Sequence, residues 1–168
     1  ELEPAARRIY KELHDDLFAE VGEGTVTVAN ALVRLLRLQQ VTSGYLPIER
    51  EDPDADVVLE RISWAKEKLL AELIEDMGGE PVVVFCRFTH DLDAVQRVAE
   101  QAGLRYGELS GRNKGGLADD ATMAAHVDVL GTQIASGGVG IDLTRARYAV
   151  YYSTGFSLGE YEQSLKRV

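Results

Sequence analysis

"PVVVFCRFTHDLDAVQRVAEQAG", residues 81–103, changes its apolar period midway. Residues 81–85 form an unbroken apolar run with three valines, the composition of a strand covered on both faces. From Thr89 onward the apolar positions are Leu92, Val95 and Val98, a helical stripe that Gly103 can stop. Thr89 is the expected N-cap, with Asp91 in the first turn. A strand running straight into a helix is half of a βαβ unit, and the downstream sequence supplies the rest. "LRYGEL" (104–109), "VDVLGTQI" (127–134) and "YAVYYS" (148–153) read as three more strands. Ser157 with Glu160 reads as a capping box opening a last helix over 158–168. Strands alternating with helices imply an α/β fold: a parallel sheet with helices on both faces.

Upstream, the pattern is helical throughout. Ile9, Leu13 and Leu17 recur at four-residue spacing, as do Val28, Leu32, Leu35 and Leu36 after a Gly-Glu-Gly turn at 22–24. The second helix should stop near Gly44, before the acidic, proline-bearing stretch "LPIEREDPDAD", which reads as a linker. A third amphipathic run carries Ile62, Leu69, Leu70, Leu73 and Ile74 and ends at Gly78-Gly79. The expected division is a helical lead-in over 1–80, packing on an α/β lobe over 81–168.

Composition narrows the function. A chain of 168 residues with 45% hydrophobic and 27% charged residues fits a globular domain. No apolar run approaches a membrane span, and no signal-peptide pattern opens the sequence. The single cysteine, Cys86, cannot form an internal disulfide and favours a reducing, intracellular setting. At the end of a buried strand it reads as a small core residue. His14, His90 and His126 lack ligand spacing, so no metal site is expected. The formal net charge of −10 argues against a broad nucleic-acid-binding face, so any phosphate contact must be local.

In parallel α/β sheets ligands collect at the carboxyl ends of the strands. Four polar or glycine-bearing segments fall there: 86–89, 109–112, 133–142 and 153–157. The third is the most distinctive, "QIASGGVGID", with Gly137, Gly138 and Gly140 close together and then Asp142. Glycines let a backbone approach a ligand while presenting its amides. A dinucleotide fingerprint fails because Leu143 stands where its third glycine belongs, and no Walker A phosphate loop occurs anywhere. The chain is therefore not a complete P-loop ATPase.

The order of these segments resembles the C-terminal RecA-like lobe of superfamily two helicase-like ATPases, specifically the Swi/Snf family of DNA translocases. "RRIYKEL…ANALVRLLRLQQVTSGYL" is similar to the helical lead-in between that family's two lobes. "SWAKEKLLAELIEDMGGEPVVVFCRF" resembles the helix and strand of motif IV, and "GLRYGELSGR" the next strand and its turn. "QIASGGVGIDLTRARYAVYYSTGFS" resembles motif V, and "YEQSLKRV" the start of motif VI. The resemblance implies roles residue by residue. Gly138, Gly140, Asp142 and Gln163 would hold the nucleotide, with Asp142 on the ribose. Arg167 would be the catalytic cation on the γ-phosphate. Arg87, Ser110, Gly111, Arg112 and Gln133 would grip DNA.

The implied whole is an ATP-dependent double-stranded-DNA translocase, working with ATP and Mg2+ and with an N-terminal RecA-like lobe of the same parent chain. This chain would supply half of the ATP cleft and half of the DNA track, be inactive alone, bind DNA only weakly, and hold no cofactor tightly. Two other readings of the same residues stay open: an α/β nucleotide- or cofactor-binding domain built on the Gly137–Gly140 loop, and a non-catalytic interaction module.

Overall fold

A computed structural model describes residues 1–16, 18–21, 24–27, 31–48, 57–112, 126–133, 143–155 and 158–165. In chain order the elements are α1 (Pro4–Asp15), β1 (Phe18–Val21), β2 (Gly24–Thr27), α2 (Ala31–Thr42), β3 (Tyr45–Ile48), β4 (Val58–Arg61), α3 (Ala65–Asp76), β5 (Val82–Cys86), α4 (Thr89–Gln101), β6 (Tyr106–Leu109), β7 (Val129–Gln133), β8 (Tyr148–Tyr151) and α5 (Leu158–Leu165). They fall into two compact units, Glu1–Lys66 and Glu67–Val168.

The first unit is not purely helical. Two antiparallel hairpins interrupt its helices, β1 with β2 and β3 with β4. Val21 pairs with Gly24, so the last glycine of the stretch expected to separate two helices belongs to a strand. The stretch read as a linker begins as strand β3, buried along its whole length, with Pro47 opposite Leu59. A two-stranded ribbon is all edge, so a residue without an N–H is tolerated there. Gly44 ends the second helix as expected, at φ 84°. A Cβ at Gly44 would come within 2.5 Å of the Ser63 carbonyl oxygen, so the turn into β3 requires glycine. The core of this unit is Ala6, Ile9 and Leu13 of α1, Leu38 and Val41 of α2, and Leu46 and Ile48 of β3. Leu32 and Leu35, expected inward, are exposed. Leu17 and Val28 lie outside the described residues.

The second unit is the expected α/β sheet. Four parallel strands run in the order β6-β7-β5-β8. All five residues of β5 are buried, which is why that run shows no alternation. On one face Val82, Val84, Cys86 and Val129 pack against Leu70 and Ile74 of α3 and Leu92, Val95 and Val98 of α4. Fully burying one such aliphatic side chain is worth roughly 1.5–3 kcal/mol. The other face holds Val83, Phe85, Leu130 and Leu143. There Tyr151 stacks on Phe85 and its hydroxyl lies 2.7 Å from Ser164 Oγ on α5. Of the apolar residues assigned to α3, Leu69 and Leu73 are exposed. Tyr148 of β8 is also exposed, whereas Tyr152 is buried. Among the described residues no helix is long and apolar enough to cross a membrane, and no three His, Cys, Asp or Glu side chains gather as a metal site would need.

Candidate functional site

Register places the site. Cys86 pairs with Gln133 and Leu109 with Thr132, so β5, β7 and β6 end side by side. Arg87, Gln133 and the Ser110–Arg112 turn therefore become neighbours along one carboxyl edge. The Gln133 amide bridges all three strand ends. Its Oε1 accepts from the Gly111 N–H at 3.3 Å, and its Nε2 donates to the Arg87 carbonyl at 3.4 Å. The strand β7 can lie close beneath α4 because Gly131 has no side chain: a Cβ there would meet the Tyr106 hydroxyl at 2.5 Å and Leu92 Cδ2 at 3.1 Å.

Arg112 is the hub of a carboxylate cluster. Its Nε donates to Glu108 Oε1 at 2.8 Å and its Nη2 to Glu108 Oε2 at 2.7 Å, a two-point fork. Nη2 also donates to Asp93 Oδ1 at 2.7 Å, across to α4. The buried Ser110 hydroxyl donates to the same Glu108 oxygen and accepts from the Arg112 N–H at 3.3 Å. Arg112 and Ser110, paired with the Glu108 carboxyl, hold its pKa below the ordinary value, and Glu108 and Asp93 raise that of Arg112. The Tyr106 phenol, 3.3 Å from the Leu92 carbonyl, is pushed up by burial and then by the Glu108 charge. One cation thus faces two carboxylates, and the Ser110 hydroxyl proton is spent inward.

On the opposite flank of β5 lies β8. Tyr152 N–H donates to the Phe85 carbonyl at 3.0 Å, and the Arg87 N–H donates to Ser153 Oγ at 2.8 Å. Ser153 in turn donates to Asp91, whose carboxylate also accepts from the Phe88 N–H at 3.2 Å. This corrects the expected cap: Phe88 is the N-cap and Thr89 the first helical residue. The aspartate three residues on reaches back to the Phe88 N–H, so the Thr89 hydroxyl has no capping role to fill.

Arg87, Ser110, Gly111, Arg112 and Gln133 are brought together along this edge. Gly138, Gly140, Asp142 and Arg167 lie outside the described residues, as does Ser157. Gln163 falls on α5, with its side chain also outside the described residues. Sequence reading missed Glu108, Asp93 and Ser153. Glu108 and Arg112 gave a weak signal, since a carboxylate ending a buried strand needs a partner.

Comparisons with known proteins follow the same outline. The whole chain is 26% identical, over 169 aligned residues, to protein p41 of Acyrthosiphon pisum secondary endosymbiont phage 1, and it spans 34% of that relative, about a third of its length. Two solved structures are similar over 61% of this chain. The C-terminal part of the Fun30 ATPase domain is 25% identical with a TM-score of 0.48, over 34% of that chain. The Pyrococcus furiosus Hef helicase domain is 17% identical with a TM-score of 0.47, over 22% of that chain. Residues 65–168 match the helicase conserved C-terminal domain, which takes in α3, the whole parallel sheet and α5. The chain belongs to the helicase conserved C-terminal domain family, and its parallel α/β sheet is the RecA-like arrangement of that domain.

Proposed function

We propose that this chain is the C-terminal lobe of an ATP-dependent, double-stranded-DNA translocase of the Swi/Snf kind. Its first unit serves as the lead-in from an N-terminal RecA-like lobe of the same parent. The observation that carries the reading is the convergence of Arg87, Gly111, Arg112 and Gln133 on one carboxyl edge, in a chain of the helicase C-terminal family. Two arginines at such an edge suit sequence-independent phosphate contact, which an acidic chain can make only locally.

ATP with Mg2+ would be bound between the lobes. The resemblance gives Gly138, Gly140, Asp142 and Gln163 to the nucleotide and Arg167 to its γ-phosphate. In phosphoryl transfer a cation delivered from a second body is worth roughly 10³–10⁵ in rate, which ties hydrolysis to lobe closure.

Three variants of the full-length parent test the assignment. Asp142→Ala should weaken nucleotide use and leave DNA affinity without nucleotide nearly unchanged. Gln133→Ala should do the reverse, lowering DNA affinity or its stimulation of ATPase. Arg167→Ala should cut kcat by orders of magnitude with little change in KM. Melting temperatures falling together in Asp142→Ala and Gln133→Ala, with no separation of the two activities, would show that these residues only pack.

A further inference from the structure

The seam between β5 and β8 ends in a polar knot that a simple helix cap does not need. Asp91 is fully buried, and a buried carboxylate is tolerated only where fixed donors surround it. Its Oδ2 takes the backbone N–H of Phe88, which would suffice for a cap, and also the hydroxyl proton of Ser153, 62 residues away in sequence. Ser153 is itself buried and accepts the N–H of Arg87 at 2.8 Å. His90 Nε2 lies 3.7 Å from the other Asp91 oxygen. The chain Arg87–Ser153–Asp91–Phe88 therefore closes a ring joining two exits from the sheet. One exit is the turn that presents Arg87. The other leaves β8 and begins α5 at Leu158, the helix that carries Gln163 and precedes Arg167 in sequence.

We propose that Asp91 and Ser153 are positioning residues that couple the DNA-facing edge of the lobe to its nucleotide-facing helix. Neither touches a ligand. The inference rests on the reading of Arg87 as DNA-facing and of α5 as nucleotide-facing. A phosphate that displaces the Arg87 turn moves Ser153 with it, because the Arg87 N–H and the Asp91 carboxylate grip one hydroxyl from two sides. Beside that hydroxyl, backbone bonds from Tyr152 and Ser153 to the Phe85 carbonyl also join the two exits. Coupling of this kind is a difference in free energy between sites, and single residues along it shift it measurably.

The test uses the full-length protein and reads four quantities: ATP turnover without DNA, turnover with saturating duplex DNA, DNA affinity, and melting temperature. Ser153→Ala should stay folded and lower the DNA stimulation of turnover by roughly two- to thirtyfold, more than it lowers basal turnover or DNA affinity. Ser153→Thr keeps the hydroxyl and should restore most of the stimulation. Asp91→Asn keeps an acceptor oxygen and should fall between. If Ser153→Ala folds and keeps the wild-type stimulation, the inference is overturned. It is equally overturned if basal and stimulated turnover fall in parallel, if Thr fails to rescue, or if Ser153→Ala unfolds the chain, since each is the signature of packing alone. Wild-type protein without any DNA-stimulated turnover would fail the functional reading itself, and the inference with it.

Discussion

Arg112 is where residue chemistry departs most from what its position suggests. A surface arginine beside a glycine turn looks like a free phosphate contact, yet three of its N–H donors are spent on Glu108 and Asp93. The two carboxylates are not equivalent. Glu108 is nearly buried and forked onto the guanidinium, whereas Asp93 is 45% exposed and meets only Nη2. Asp93 is thus the partner that a DNA phosphate would displace. Removing it should help: Asp93→Asn in the full-length protein should tighten DNA binding by up to about fivefold, the scale of an exposed ion pair. It should also steepen the dependence of log K on log salt by about 0.9, one extra phosphate neutralised. Anisotropy titrations at several salt concentrations read both numbers. Unchanged affinity and slope would mean that Arg112 does not face the DNA.

At the scale of elements, the sheet rests on close approach and on one surface clamp. Gly131→Ala pushes a methyl group against Tyr106 and Leu92 and should cost about 1–3 kcal/mol, visible as a lowered denaturation midpoint. The clamp lies at the opposite edge, where Arg105 donates to Asp128 through its Nε at 2.9 Å and its Nη2 at 2.7 Å, tying β6 to β7. Arg105 lowers the Asp128 pKa from 3.8 to about 2. A depressed carboxylate stabilises the fold fully above its unfolded value and loses that contribution as pH falls from about 4 towards 2. Asp128→Asn should therefore flatten the acid limb of a stability-against-pH curve in that window, and an unchanged limb would show the pair to be idle.

These elements also mark what was legible beforehand. Val82–Cys86 and the Leu92-Val95-Val98 stripe could be read directly, because burial on both faces and a helical period leave unmistakable patterns. The hairpins could not: β1 and β2 are four residues each, too short for alternation to register between helices, and Pro47 disguised a buried strand as a linker. At the carboxyl edge, neighbours in sequence such as Ser110 to Arg112 could be singled out together, while their links to Asp93 and the Ser153–Asp91 bond could not be read, because those partners lie 19 and 62 residues away.

For the whole molecule, the proposed function implies that an acidic chain meeting DNA along one narrow edge would bind it weakly and without sequence preference. With two or three phosphates neutralised, log K should fall against log salt with a slope of roughly −2 to −3. Tight binding at physiological salt, or strong preference for one sequence, would contradict that edge-on picture. The central claim is that this chain is one half of a two-lobed motor, and steady-state phosphate release tests it most directly. The 168-residue chain alone should release no phosphate from ATP, with or without duplex DNA, because it has no Walker A phosphate loop. The same chain in its full-length parent should turn over ATP faster when DNA is added. DNA-stimulated turnover by the isolated chain, or a parent whose turnover ignores DNA, would contradict the account.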